Sequence, residues 1–359
     1  MIIAVNLGEE NAEMSRPTFH VAVVGATGAV GEQMVRLLEE RDFPISRLTL
    51  LASARSAGKK VLFKGEELTV QETTPEAFEG VDIALFSAGG AVSKQFAKEA
   101  VKRGALVIDN TNAFRMEPDV PLVVPEVNGE DIAQHRGIIA NPNCSTIQMV
   151  VALHPIRKRY GLKRIIVSTY QAVSGAGYAA LEELKEQTRQ VLNGETITPR
   201  VLPVAKEPKK YQIAFNAIPQ IDVFQDNDFT LEEMKMIRET KKILHDPTIE
   251  VAATCVRIPV FTGHSESVYI ETEKEIDVAE VREILKNAPG VIVEDDPASQ
   301  LYPLAIRAAG KPEVFVGRIR RDLDRPNGLH LWIVSDNLIK GAAYNSIQIA
   351  EEYIDRYRH

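Results

Sequence analysis

The cysteine at position 144 stands where a thiol can become a nucleophile. In Gly137-Ile-Ile-Ala-Asn-Pro-Asn-Cys-Ser-Thr-Ile-Gln-Met-Val-Val, residues 137 to 151, an apolar run breaks at Pro142. A polar-started apolar segment follows, which reads as a helix over 145 to 153. Cys144 then occupies a strand-to-helix turn, where free N–H groups and the helix dipole favour an anion. The thiol is expected to ionise more readily there than a free one. The bland alternative is a small apolar residue capping a core helix.

Other residues have the chemistry to serve such a nucleophile. Arg257 lies among apolar neighbours in Val251-Ala-Ala-Thr-Cys-Val-Arg-Ile-Pro-Val260, and a guanidinium buried there calls for an anionic partner. Cys255 in the same run reads as core. His264 opens the next strand-like stretch and, of the seven histidines, has the best context for acid–base work. Thr230-Leu-Glu-Glu233 is a capping-box pattern that starts a helix to about residue 244. Glu232 and Lys235 share a face of it, ordinarily as a solvated ion pair. Arg115, at the end of Asp109-Asn-Thr-Asn-Ala-Phe-Arg115, is either a surface charge or a second anion-binding group on the rim.

A nucleotide site precedes these residues in the chain. From Thr18 a β-branched apolar strand runs into glycines at 25, 28 and 31 and then a helical pattern from Glu32 to Glu40. A glycine turn between strand and helix lets the backbone approach a pyrophosphate while the helix start donates N–H groups to it. After the second strand, Arg47 to Ala52, an acidic residue would suit NAD. This chain has Ser53-Ala-Arg-Ser-Ala-Gly58 instead. A guanidinium, Arg55, flanked by hydroxyls suits a 2′-phosphate, so NADP is the expected cofactor. A solvent-exposed loop arginine is the alternative.

The elements that must hold these residues alternate strand and helix: a strand over 82 to 86, a helix over 92 to 103, a strand over 105 to 108. That alternation predicts an α/β fold with a doubly wound parallel sheet and a ligand crevice at the strand C-ends. After Cys144 come a strand over 165 to 170 and a small-residue loop, Gln171-Ala-Val-Ser-Gly-Ala-Gly177, opening a helix at Ala179. Residues 193 to 212, with a glycine and three prolines, read as a long connection or a subunit arm.

The 359 residues are 45% hydrophobic and carry 42 basic against 50 acidic side chains, a net charge of −8. Nothing in that balance points to nucleic acid or to an anionic membrane surface. No apolar run approaches the roughly 18 residues of a membrane span, and two cysteines do not make a disulfide framework. A cytoplasmic enzyme with a free thiol and no metal is expected. Residues 1 to 17 read as an extension, with Met14 as an alternative start.

Taken together, Gly25-Ala-Thr-Gly-Ala-Val-Gly31, Ala52-Ser-Ala-Arg-Ser-Ala-Gly58, Asn112-Ala-Phe-Arg115, Asn141-Pro-Asn-Cys-Ser-Thr146, Gln171-Ala-Val-Ser-Gly175, Arg257-Ile-Pro-Val260 with His264, and Asp336-Asn-Leu-Ile-Lys-Gly-Ala-Ala343 resemble the aspartate-β-semialdehyde dehydrogenases, in particular the bacterial branch common in Gram-positive organisms. The likeness spans about residues 18 to 355. It implies a Rossmann-type NADP-binding domain over 18–143 with 337–359, and an α+β catalytic and dimerisation domain over 144–336.

By the same resemblance Cys144 is the nucleophile, His264 the general acid/base, and Gln171 the residue that orients the reacting groups and substrate. Arg257 takes the substrate carboxylate and Glu232 its ammonium. Arg115 and Lys235 take inorganic phosphate. Gly25, Thr27, Gly28, Ala29 and Val30 line the cofactor, as do Ser53, Arg55 and Ser56, and on the other side Ser174, Gly175 and Asn337. A homodimer is implied, with a tetramer possible. Two alternatives stay open: N-acetyl-γ-glutamyl-phosphate reductase, which the free-ammonium reading of Glu232 argues against, and a catalytically silent NADP-binding scaffold, which the joint presence of Cys144, Gln171, Arg257 and His264 argues against.

Overall fold

A computed structural model describes residues 17 to 357; the 1–17 extension and its Met14 start thus lie almost wholly outside the described residues. Two six-stranded sheets organise the chain. In the first, all strands are parallel, in the order Gln71–Glu72, Ile45–Ala52, Phe19–Val24, Ile83–Phe86, Leu106–Asp109, Ile138–Ala140. Near-continuous burial of Phe19–Val24 and Ile83–Phe86 is what a sheet covered on both faces requires. Helices Ala29–Glu40 and Tyr344–Tyr357 bury their apolar stripes with Val21, Val23 and Leu50 in one core. Helix Gly90–Lys102 covers the other face with Phe86 and Phe96. The last helix of the chain thus packs on the first sheet.

The second sheet is mixed, ordered Glu250–Arg257, Arg164–Gln171, His264–Glu271, Gly328–Ser335, Val314–Arg321, Val291–Val293. Its pairing decides where the chemistry sits. Arg164–Gln171 and Glu250–Arg257 run parallel with Gln171 opposite Arg257, and His264–Glu271 runs antiparallel with Ser265 opposite Tyr170. Two strands therefore end, and a third begins, at one edge. Gln171, Arg257 and His264 meet there although 93 residues separate the first from the last.

One face of this sheet is covered by helices Cys144–Tyr160, Leu231–Ile243 and Val278–Lys286, whose apolar side chains join one large core. On the opposite face Ile166 is 40% exposed and Tyr170 stacks at a tilt on Trp332.

Several boundaries differ from those expected. The first helix starts at Ala29, directly after the Gly28 cap, and the second strand starts at Ile45. The helix expected over 145 to 153 starts at Cys144 itself and runs to Tyr160, past Pro155. Tight burial on nearly all sides holds it through the hydrogen bond that proline lacks. Residues 193 to 212 form the expected long connection, mostly exposed but anchored midway. Leu202 is buried with Val173 and Leu184, and Glu183 accepts from the backbone N–H groups of Arg200, Val201 and Leu202.

Candidate active site

A cleft of about 520 Å³ opens between the C-terminal edge of the parallel sheet and the edge of the mixed sheet described above. Cys144 lies on it, half-buried, as the first residue of its helix. Asn143 is the N-cap, and its Oδ1 accepts from the N–H groups of Ser145 at 3.1 Å and Thr146 at 3.3 Å. The cap thereby shares donors that were expected to stabilise a thiolate, and the Ser145 N–H still pulls the thiol pKa down. Burial and the nearby Glu232 carboxylate push the Cys144 thiol up to about 12, against the pull of Arg115 and Arg257. The expected easy ionisation is therefore corrected. Desolvation and a neighbouring anion outweigh the helix start.

Around the thiol stand groups of opposite charge. Glu232 is buried, yet Lys235, Asn143 and Gln171 overcome the cost of burial and hold its carboxyl down to about 2. Oε1 accepts from Asn143 Nδ2 at 2.9 Å and Gln171 Nε2 at 3.2 Å, and Oε2 from Lys235 Nζ at 3.1 Å. Lys235 also donates to Asp222 at 2.9 Å, and the two carboxylates keep its ammonium charged despite burial. The ordinary reading of Glu232 and Lys235 as a solvated pair does not hold, because both line the cleft.

Arg257 is 4% exposed, and burial lowers its pKa. NH1 donates to Ala172 O at 2.7 Å, Nε has no hydrogen-bond partner, and among the described residues no carboxylate forms an ion pair with it. A guanidinium so placed suits an anion from outside the chain.

His264 is wholly buried just behind the cleft wall; burial and Arg257 push its pKa down to about 3, so the ring is neutral. Nδ1 accepts from Ala172 N–H at 3.0 Å, which assigns the ring hydrogen to Nε2. Nε2 lies 3.4 Å from Gln171 Nε2. A Cβ added to Gly175 would stand 3.0 Å from Arg257 NH1 and 3.3 Å from His264 Nε2, so Gly175 borders both.

The nucleotide turn fits a dinucleotide. Gly25 has a φ of +90°, and a Cβ there would meet Ala88 N at 2.9 Å. The helix after it has Gly28 as its cap with no side-chain cap bond, so its first N–H groups face outward for a phosphate. Thr27, Gly28, Ala29 and Val30 are half-buried along that turn. Ser53 and Arg55 are exposed and Ser56 is buried, in the short 3₁₀ turn Ala54–Ser56. Across the cleft Asn337 Nδ2 donates to Ser174 Oγ at 2.9 Å, and its Oδ1 accepts from Gly263 N–H at 2.9 Å.

The N-terminal part, residues 20–135, matches the family model "Semialdehyde dehydrogenase, NAD binding domain", and residues 153–340 match "Semialdehyde dehydrogenase, dimerisation domain". The aspartate-semialdehyde dehydrogenase of Bacillus subtilis is 68% identical over 92% of this chain and 96% of its own length. The chain belongs to the aspartate-semialdehyde dehydrogenase family. The Aquifex aeolicus member is 58% identical over 93% of this chain and 97% of its own. A solved structure of aspartate semialdehyde dehydrogenase II from Vibrio cholerae, complexed with ASA, superposes with a TM-score of 0.90 at 50% identity over 95% of this chain and 99% of that one. One from Candida albicans with NADP gives 0.72 at 27% identity, covering 94% and 98%.

As a member of this dehydrogenase family the chain is an oxidoreductase, and its cleft gathers most of the residues singled out from sequence. Cys144, Gln171, Arg257, Glu232, Arg115 and Lys235 line it directly, and Val30, Ser174, Gly175 and Asn337 line its cofactor side. Gly25, Thr27, Gly28, Ala29, Ser53, Arg55 and Ser56 lie beyond its walls, on the parallel-sheet side.

Three features escaped the sequence reading. Residues 201 to 205 line the cleft, and nothing in their composition announces it. The π-helical segment Ile339–Ala343 brings Gly341 so near that a Cβ on it would stand 2.6 Å from Cys144 Cβ. Lys340 in that segment is fully buried, with its ammonium on both oxygens of Glu126 at 2.8 and 2.7 Å. The third is Glu239, whose spacing of seven from Glu232 puts it on the same helix face.

No cluster of three or more His, Cys, Asp or Glu arranged for a metal occurs among the described residues. No helix among them is long and apolar enough to cross a membrane.

Proposed function

We propose that the cleft interconverts L-aspartate 4-semialdehyde and L-4-aspartyl phosphate through a thioester on Cys144. The observation that carries this reading is the pairing, in one cleft, of a buried guanidinium lacking a protein carboxylate with a carboxylate held ionised. Arg257 and Glu232 thus suit the two ends of an amino acid, with the thiol beside them. Cys144 Sγ attacks the aldehyde carbon, and its proton leaves to solvent or to a base in the cleft. His264, the acid/base of this reading, meets the oxygen of the resulting thiohemiacetal with Nε2–H and holds it by a hydrogen bond; as the hydride leaves the carbon, the C=O of the thioester forms and the hydroxyl proton passes to solvent. Gln171 donates from Nε2 to Glu232 and stands beside His264, which suits it to orient the substrate between them. The Gly25 to Val30 turn would hold NADP, with Arg55, Ser53 and Ser56 suited to its 2′-phosphate, and the cofactor would supply the hydride acceptor. Ser174, Gly175 and Asn337 close the other side.

Arg115 and Lys235 hold inorganic phosphate, whose oxygen attacks the thioester carbonyl, and Cys144 departs as thiolate. In biosynthesis of the aspartate-derived amino acids the reaction runs toward the semialdehyde. A free ammonium group suits Glu232, and an acylated nitrogen does not, so the acetylated glutamyl substrate is disfavoured. We assign residues 18–143 with 337–359 to cofactor binding and 144–336 to catalysis and dimerisation, and place the enzyme in the cytoplasm as a homodimer. Support for the dimer is the sheet face on which Ile166 stands 40% exposed beside the half-buried Tyr170.

The deciding experiment mixes enzyme, aspartate semialdehyde and NADP⁺ and follows NADPH absorbance with and without phosphate. A phosphate-dependent rise is expected. No rise in either mixture, with NADPH still bound, would favour the acetylated-glutamyl reductase or a silent scaffold.

A further inference from the structure

The helix Leu231–Ile243 meets the cleft through more than the two residues assigned to ligands. Glu232, Lys235, Glu239 and Lys242 follow one another at spacings of three, four and three, a single stripe along one face. Glu239, only 1% exposed, is the fully buried member with no ligand to explain it. Its Oε1 accepts from Arg115 NH1 at 3.0 Å and its Oε2 from the backbone N–H of Asn143 at 2.7 Å. Arg115 is otherwise held by carbonyls alone: Nε donates to Asn141 O at 3.0 Å and NH2 to Asn110 O at 2.7 Å. Asn143 is the cap that precedes Cys144 and also grips Glu232. One carboxylate therefore touches both the anion-binding arginine and the turn carrying the nucleophile.

We infer that Glu239 is a positioning residue for the phosphate step, setting the plane of the Arg115 guanidinium and the Asn143 turn relative to each other. This rests on the reading of Arg115 as a phosphate-binding group. Three of the guanidinium's N–H groups are taken by Asn141 O, Asn110 O and Glu239, so those left over face one direction only while all three bonds hold. A neutral amide at 239 cannot replace the carboxylate. If its oxygen accepts from Asn143 N–H, its NH₂ opposes Arg115, donor against donor. An aspartate keeps the charge but is one methylene short of spanning both partners.

Position and charge predict opposite signs. As a mere negative charge beside a phosphate site, Glu239 repels phosphate, and removing it improves binding. As a positioning group, its loss harms binding.

The test measures KM for phosphate, KM for the semialdehyde and kcat in the NADP⁺-reducing direction for Arg115→Ala, Glu239→Gln, Glu239→Asp and the Arg115→Ala/Glu239→Gln double variant. Both Glu239 variants are expected to raise the phosphate KM by about tenfold, to lower kcat and to leave the semialdehyde KM within about twofold, with the double variant no worse than Arg115→Ala. A fall in phosphate KM for Glu239→Gln with no change for Glu239→Asp overturns the inference in favour of charge alone. Lowered stability with every KM unchanged overturns it in favour of a structural role. A raised phosphate KM in Arg115→Ala beside unchanged values in both Glu239 variants defeats the inference but spares the phosphate reading. An unchanged value in Arg115→Ala removes that reading, and the inference with it. Should Glu239→Gln fail to fold, Glu239→Asp still decides between position and charge.

Discussion

Cys144 sits in a field that its own neighbours set against ionisation, which makes activation a matter of what enters the cleft. Burial and Glu232 raise the thiol, so alkylation of the free enzyme by iodoacetamide is expected to rise with pH and inflect above the ordinary thiol range. Glu232→Gln removes a raising charge and should move that inflection down. An inflection below pH 8 in the unsubstituted enzyme would show the helix start prevailing after all. Cys144→Ser should retain NADPH binding and lose turnover by roughly four orders of magnitude, since an alcohol without a strong base is a poor nucleophile. Residual turnover close to normal would take Cys144 out of the mechanism. For the cofactor, Arg55→Ala should weaken NADPH at least about tenfold more than NADH, because only NADPH carries the phosphate a guanidinium can meet. Equal loss for both, read by fluorescence titration, would leave Arg55 a structural part.

At the scale of elements, the strands and helices that carry the site were readable because their signals are local. The glycine turn at 25 to 31 announced the nucleotide side, and the capping box at Thr230 announced the Glu232 helix, whose Thr230 and Glu233 bond reciprocally as expected. What was not readable depends on contacts distant in sequence. The pKa of Cys144 is set by burial between the two sheets and then by a carboxylate 88 residues away in number, and the closeness of Gly341 depends on a π-helical turn pinned by Lys340 and Glu126, 214 residues apart in sequence. Val201 and Leu202, at the start of the 201-to-205 stretch over the cleft, are held by Glu183, a contact that no periodicity encodes. The fit at Gly341 predicts that Gly341→Ala, whose Cβ would overlap Cys144, costs about 1–3 kcal/mol of stability and lowers kcat. A thermal melt and turnover assay both indistinguishable from the unsubstituted protein would mean that the segment shifts freely.

For the whole molecule, the two sheets divide the labour: one presents strand C-ends to a nucleotide, the other brings three reactive strand ends to one edge. Among the described residues the mixed-sheet face bearing Ile166 is met only at its Trp332 side, by the short helix Ala305–Ala308, and a second copy of the chain is the natural cover for the rest in a family with a dimerisation domain. Ile166→Arg is expected to shift the sedimenting species from dimer to monomer. A dimer unaffected by that charge would place the contact elsewhere on the surface.

The stripe Glu232, Lys235, Glu239, Lys242, buried at its two glutamates and half-buried at its two lysines, has a consequence for how this gene can change. Lys242 closes it by donating to the carbonyls of Arg115, Glu117 and Val120, each at 2.8 Å. Each residue turns the helix by about 100°, so one codon inserted between Lys235 and Glu239 would swing the last two members away from their partners at a stroke. Spelling can drift on the outward side, at Arg238 for instance, while length cannot. Mutational libraries that permit insertions and deletions should therefore find this helix silent to many substitutions and lethal to every frame-preserving indel.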